Sequence, residues 1–268
     1  MNLAPWSPDW PAPPGVRALF TRRASAEGLG ASAGPFGAFN LGDHVGDDPR
    51  AVAANRAQLQ QALQARPVYL RQVHGTQVVR LAADTPDGTT ADGAWTGQRG
   101  LVCTVLVADC LPILLTDTQG RRVAALHAGW RGLAGGVLER GLESFTAPAP
   151  MEQAQDAIKI ESDEVLAWLG PCIGPRAFEV GAEVRQAFVA DDARAAEHFA
   201  PLGAGKYLAD LPALARQRLA RWGVRRIHGN DSSAAWCTVG NETQYFSYRR
   251  DQQRLGGSGR MAACIWRV

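Results

Sequence analysis

The run Leu101-Val102-Cys103-Thr104-Val105-Leu106-Val107 constrains the fold more than any other segment. It is nearly all apolar and rich in β-branched residues, which predicts a strand covered on both faces. Further short strand-like stretches lie at residues 16–23, 67–73, 77–81, 113–116, 123–126, 165–169, 227–228 and 261–266. Between them fall helical patterns. Asp48-Pro49 marks a helix start, because aspartate accepts from the first free amides and proline fits the first helical position. Val52, Leu59 and Leu63 then line an inward face. Helices are also predicted over about 133–145, 181–190 and 211–222, the last from the spacing of Leu211, Leu214 and Leu219. Residues 6–14 form an irregular arm, 28–46 a loop with six glycines, and 147–156 a surface insertion with Pro148 and Pro150. The class is mixed α/β.

Where these strands give way to Gly- or Pro-marked turns, three residues stand out: His74 in Arg71-Gln72-Val73-His74-Gly75, Cys110 in Ala108-Asp109-Cys110-Leu111-Pro112, and His127 in His127-Ala128-Gly129-Trp130-Arg131-Gly132. Strand ends are where a scaffold presents side chains to ligands. Two imidazoles and a thiolate suit Zn²⁺, and three protein ligands leave a fourth position open for chemistry. A closed structural site usually starts from a Cys-x-x-Cys pair, which this chain lacks. The plainer reading makes these hydrogen-bonded core histidines and a buried cysteine acting as a small hydrophobe. Spacing alone leaves both open.

The 268 residues suit one large domain or two small ones. A net charge of +2 with dispersed basic residues gives a broad nucleic-acid-binding face little support. The N-terminus does not read as a secretory signal, and no uncharged apolar stretch is long enough to span a bilayer. Five dispersed cysteines are unlike a disulfide framework and point to the reducing cytoplasm. No sequence feature marks an oligomeric interface.

Asp109 could orient a ligand or move protons as a catalytic residue beside Cys110, His127 and His74. Asn40 and His44, in the glycine-rich loop, could contact a polar substrate. Arg131, Arg249 and Arg250 could bind phosphate or carboxylate, although a surface ion pair is the commoner fate of an arginine. Trp130 reads as packing, and His198 and His228 as structural.

Taken together, Phe39-Asn40-Leu41-Gly42 with His44-Val45-Gly46-Asp47-Asp48, the three segments above, Ala91-Asp92-Gly93, Gly170-Pro171-Cys172-Ile173-Gly174, Phe178-Glu179-Val180-Gly181, Cys237-Thr238 and Phe246-Ser247-Tyr248-Arg249-Arg250-Asp251 resemble the YfiH/DUF152 family. Its members carry the labels laccase-domain protein, polyphenol oxidase, purine nucleoside phosphorylase and peptidoglycan editing factor. The resemblance implies a single-domain, mixed-sheet α/β sandwich over residues 16–268, preceded by an arm over 1–15. It implies zinc held by His74, Cys110 and His127. It also implies phosphorolysis of adenosine, inosine and methylthioadenosine, and hydrolytic deamination of adenosine. The partners implied are small molecules, a purine nucleoside and phosphate, rather than nucleic acid or membrane.

Three rival activities remain. Five histidines are too few for the copper centres of a multicopper oxidase, although Cu²⁺ in the His-Cys-His group could give weak oxidase activity. A thiol hydrolase would use Cys110 as nucleophile and His127 as base; the family's fold resembles that of certain deamidase toxins. A cytoplasmic editing hydrolase would remove a wrongly incorporated amino acid from a muramyl nucleotide at the same site.

Overall fold

The structure is a computed structural model that describes residues 7–24, 30–147 and 159–268. In chain order the first strands are β1 (Val16–Phe20), β2 (Arg66–Tyr69), β3 (Val78–Arg80), β4 (Gly93–Thr96), β5 (Leu101–Val107), β6 (Leu111–Asp117) and β7 (Val123–Ala128). They are followed by β8 (Val165–Leu169), β9 (Glu179–Gly181), β10 (Phe199–Gly203), β11 (Lys206–Ala209), β12 (Arg226–Gly229) and β13 (Met261–Arg267). The helices are α1 (Pro49–Leu63), α2 (Trp130–Gly135), α3 (Val137–Thr146), α4 (Ala182–Val189), α5 (Leu211–Arg221) and α6 (Tyr248–Leu255).

Two mixed sheets lie face to face. One has the order β1-β13-β5-β2 and the other β12-β8-β6-β7-β4-β3; β10-β11-β9 forms a smaller antiparallel sheet. Strand alternation explains the layering, since successive side chains point to opposite faces. In β5, Cys103, Val105 and Val107 join Ala125 and Leu114 of the opposing sheet, whereas Val102 and Leu106 turn outward to Leu59 and Leu63 of α1. The far face of the larger sheet is covered by α3 and α5 through Leu138, Leu142, Leu214 and Leu219. β5 is therefore buried on both sides, as its composition requires.

Helix ends follow local chemistry. Asp48 accepts from the Arg50 amide at 2.8 Å with Pro49 in the first position, and Asp210 accepts from Ala213 at 2.9 Å. The helix expected over about 133–145 is instead two helices, because Gly136 takes φ +98° and breaks the hydrogen-bond ladder between α2 and α3. The strand expected over 67–73 ends at Tyr69, beyond which the chain peels away toward His74. β4, β9, β10, β11 and α6 were not anticipated. The predicted insertion lies outside the described residues from position 148 onward, as do positions 28 and 29 of the glycine-rich loop.

One connection matters most for the site. β5 and β6 belong to different sheets, yet only Ala108-Asp109-Cys110 join them. Asp109 adopts φ +86°, turning the chain from one layer into the other and leaving Cys110 at the end of the sandwich. His127 is the penultimate residue of β7 and shares the parity of Val123 and Ala125, which face the opposing sheet.

Candidate metal centre

His74 lies in the link between β2 and β3 with φ +59°. Its conformation is held by one carboxylate. Asp92, buried just before β4, accepts the backbone amides of Val73 at 3.2 Å, His74 at 2.9 Å and Gly75 at 2.7 Å. The same carboxylate meets His127 Nδ1 at 2.8 Å, and the Asp92 carbonyl accepts the His127 amide at 2.7 Å. With Asp92 ionised, Nδ1 carries a hydrogen, so Nε2 is the nitrogen whose lone pair would serve a metal once the ring gives up its second proton. Burial alone would raise the Asp92 carboxyl, but the His127 hydrogen bond and charge, with the amides of Gly75 and Val73, hold it below the usual carboxylate range.

The donor atoms of His74, Cys110 and His127 all lie within 4.8 Å of one another. Cys110 Sγ stands 3.7 Å from His74 Nε2, close to the roughly 3.5 Å that a tetrahedral zinc imposes on one sulfur and one nitrogen ligand. The two imidazole rings meet edge-on, with centroids 4.8 Å apart. Gly129 is required here, because a Cβ at that position would sit 2.9 Å from His74 Cδ2 and 3.0 Å from Cys110 Sγ. The donor set, its spacing and the Asp92–His127 contact all fit a tetrahedral metal ion. Among the described residues, this is the group of such side chains that could hold one.

Charge coupling binds the trio further. Burial would push the Cys110 thiol up, yet the charge and hydrogen bonds of His127 and His74 draw it down to about 6. Burial would depress His127, yet the Cys110 thiolate and Asp92 raise it to about 9.

These groups open on a cavity of about 380 Å³. His44, Asp109 and Arg249 line it, as do Gln72, Tyr248 and Arg260. Asp109 is buried and anchored to the distant C-terminal part of the chain. Its Oδ1 accepts from Thr238 Oγ1 at 2.5 Å and its Oδ2 from the Arg249 amide at 2.7 Å. Burial raises its carboxyl in spite of those bonds.

Asn40 and Arg131 are absent from the cavity wall. Asn40 is fully buried, and its amide is engaged by Gly42, Asp47 and the Arg260 amide. Arg131 lies over the Trp130 ring at 4.4 Å. Arg250 is taken up by Asp251 and by the carbonyls of Thr238, Val239 and Tyr245. His198 and His228 lie away from the cavity.

Asp92 and Arg260 were not singled out from the sequence. Asp92 sat visibly in Ala91-Asp92-Gly93, but nothing in that tripeptide says that it will meet a histidine 35 positions on. Arg260 has no motif around it.

Residues 17–268 match the family described as multi-copper polyphenol oxidoreductase laccase. The chain is similar to a protein of Pseudomonas aeruginosa named purine nucleoside phosphorylase, with 47% identity covering 97% of both chains. It is also similar to Escherichia coli purine nucleoside phosphorylase YfiH, with 46% identity covering 97% of this chain and 98% of that one. Among solved structures, a Neisseria meningitidis protein assigned to DUF152 superposes with a TM-score of 0.86 at 42% identity, covering 98% of each chain. A Bacillus licheniformis protein named YfiH gives 0.81 at 25% identity, covering 94% of this chain and 93% of that one.

Proposed function

This chain belongs to the multi-copper polyphenol oxidoreductase laccase family, which takes in the YfiH proteins, and on that premise we propose that it is a zinc-dependent purine nucleoside enzyme. Its reactions are phosphorolysis of adenosine, inosine and methylthioadenosine, together with hydrolytic deamination of adenosine. The observation that carries this reading is the convergence of His74, Cys110 and His127 on a cavity sized for a small molecule. Its volume of about 380 Å³ falls within the range of roughly 300–1,000 Å³ typical of such sites. The names of the relatives support the substrate class.

In phosphorolysis a phosphate oxygen bonds to ribose C1′ as the C1′–N9 bond breaks; the bonding pair leaves with the purine, which takes up a proton. In deamination water adds at the ring carbon bearing the amino group and ammonia departs. A zinc ion at the trio would supply Lewis acidity to either reaction. Ile173, Phe178 and Leu211 give the cavity an apolar wall for a purine, and Arg249 gives it positive charge for phosphate. Asp109, beside Cys110 on the cavity wall, is the proton-carrying group. Asp92 holds both histidines in register. The catalytic unit is residues 16–268 with 1–15 as an arm. The five unpaired cysteines fit a reducing cytoplasm, and no helix of the described residues is long and apolar enough to cross a membrane.

A second reading has one observation in its favour. Cys110, His127 and Asp92 form a thiol–imidazole–carboxylate chain of the kind that activates a nucleophile. Metal content separates the two, because a zinc-bound thiolate is not a free nucleophile. Copper in the same group would give at most weak oxidase activity.

The decisive experiment is chromatographic assay of metal-quantified protein with adenosine, with and without phosphate, beside Cys110→Ala. Adenine formed only with phosphate, or inosine formed without it, both lost in the variant, upholds the proposal. Zinc-loaded wild-type protein that leaves adenosine untouched overturns it and favours the muramyl-nucleotide hydrolase.

A further inference from the structure

Arg260 is the least explained charge in the molecule. It immediately precedes β13, is partly buried, and lines the same cavity as the His-Cys-His group. Its Nη1 donates to the carbonyls of Ser258 at 2.8 Å and Gly259 at 3.1 Å. Nε and Nη2 have no partner among the described residues, and neither Arg260 nor Arg249 comes within ion-pair distance of a carboxylate there. Asp109 and Cys110 share the cavity wall with it. Asp109 is already engaged by Thr238 and the Arg249 amide, and Cys110 belongs to the donor trio. Two donor groups of a cavity-lining guanidinium are therefore left for a ligand, and an anion is the ligand such donors bind most strongly.

The surroundings fix the position of this side chain. Asn40 Oδ1 accepts the Arg260 amide at 2.8 Å and the Gly42 amide at 2.9 Å, while the Leu41 amide donates to the Arg260 carbonyl at 3.1 Å. Gly42 lies flush against the stem: a Cβ there would fall 2.7 Å from Arg260 Cγ. The Tyr248 ring faces the guanidinium from α6, 5.8 Å away. Asn40, one of the residues that could contact substrate, is buried beneath the cavity and holds the backbone of this arginine. Arg249 contributes a second guanidinium at the rim, held loosely by the carbonyls of Ala177 and Glu179.

We propose that Arg260 binds a phosphate-class oxyanion in the cavity, with Arg249 as its outer partner. A planar fork of donors is suited to two oxygens of such a group. The anion could be inorganic phosphate as co-substrate or a phosphate carried by the substrate itself. The inference deepens the nucleoside reading by naming the residue that receives phosphate.

The test is calorimetric titration of inorganic phosphate, adenosine 5′-monophosphate and adenosine into zinc-loaded wild-type protein, Arg260→Gln and Arg260→Lys. Arg140→Gln on the exposed face of α3 serves as charge control. Arg260→Gln is expected to weaken binding of the phosphate-bearing ligand roughly 10- to 100-fold while leaving adenosine affinity within about twofold, with Arg260→Lys between. Dependence for inorganic phosphate alone identifies a co-substrate; tighter, Arg260-dependent binding of the monophosphate identifies a phosphorylated substrate. A folded Arg260→Gln that binds phosphate as wild type does, an equal loss for adenosine, or wild-type protein that binds neither phosphate ligand overturns the proposal. Should Arg260→Gln fail to fold, Arg260→Lys with unchanged affinity for both does the same. Arg260-dependent phosphate binding by a protein that leaves adenosine unreacted refutes the nucleoside reading and spares the anion site.

Discussion

His127 and Asp92 meet at 2.8 Å through Nδ1 and Oδ1, and that one contact decides which imidazole nitrogen faces Cys110. The carboxylate also fixes the backbone on both sides of His74. Two of the three donors therefore depend on a residue that cannot itself reach the ion they would hold.

Asp92→Ala should weaken zinc binding about 10- to 100-fold, the usual effect of losing the carboxylate behind a ligating histidine. Competition against a chromophoric chelator measures it. Wild-type affinity in a folded variant would remove Asp92 from the account.

Gly129→Ala should deplete the metal site while preserving the fold. The added methyl group would collide with His74 and Cys110 at about 3 Å, where real contacts are not found. Zinc per chain by atomic spectrometry should drop well below that of wild type, with the circular dichroism spectrum unchanged. Full occupancy would show that the β7–α2 turn can yield.

Zinc binding should release protons between about pH 6 and about pH 9. In that window the metal-free pair is thiolate and imidazolium, because Cys110 is drawn down to about 6 and His127 up to about 9. An incoming ion must expel the imidazolium proton, so affinity rises with pH there and drops more steeply below the thiol's value. The sign for stability follows. The raised His127 value adds stability that is complete below its ordinary value and fades as pH climbs through about 9. The lowered Cys110 value adds stability that fades as pH falls through about 6. Metal-free protein should melt highest between the two. Calorimetry in buffers of differing ionisation enthalpy reads the proton release directly, and apparent enthalpies independent of buffer would contradict it.

Asp251→Ala should destabilise the fold by about 3–5 kcal/mol, the cost of leaving a buried charged partner uncompensated. Asp251 is fully buried and holds Arg250 at 2.7 and 3.0 Å, Arg23 at 3.4 Å and the Ser247 amide at 3.1 Å. Urea denaturation gives the value. A loss below about 1 kcal/mol would mean that the cluster rearranges.

The layered α/β class was legible because its signals are local. The all-apolar β5, the Asp48-Pro49 helix start and the leucine spacing of α5 each carry their cause within a few residues. Cys110 and His127 stood out because each sits at a strand end with its own turn residues, and His74 because of the Gly75 turn beside it, although spacing alone did not separate a metal site from core packing. The partners that hold the site were not legible, since hydrogen bonds such as Asp109 to Thr238 and Asn40 to Arg260 span well over a hundred positions. No window of sequence displays a contact of that range. Short β4 and β9 escaped for a related reason: each is a strand only because a neighbour pairs with it.

The position of β13 between β1 and β5 orders events on the ribosome. β1 pairs only with β13 in that sheet, so the first strand made waits for residues 261–267 before it has a neighbour. At bacterial-scale synthesis rates, translation from His127 to those residues takes on the order of ten seconds. Throughout that interval His74, Cys110 and His127 have been made, while the strand between β1 and β5 and the wall that carries Arg260 have not. The three side chains that could share a metal are thus made well before the strand that completes the sheet beside them.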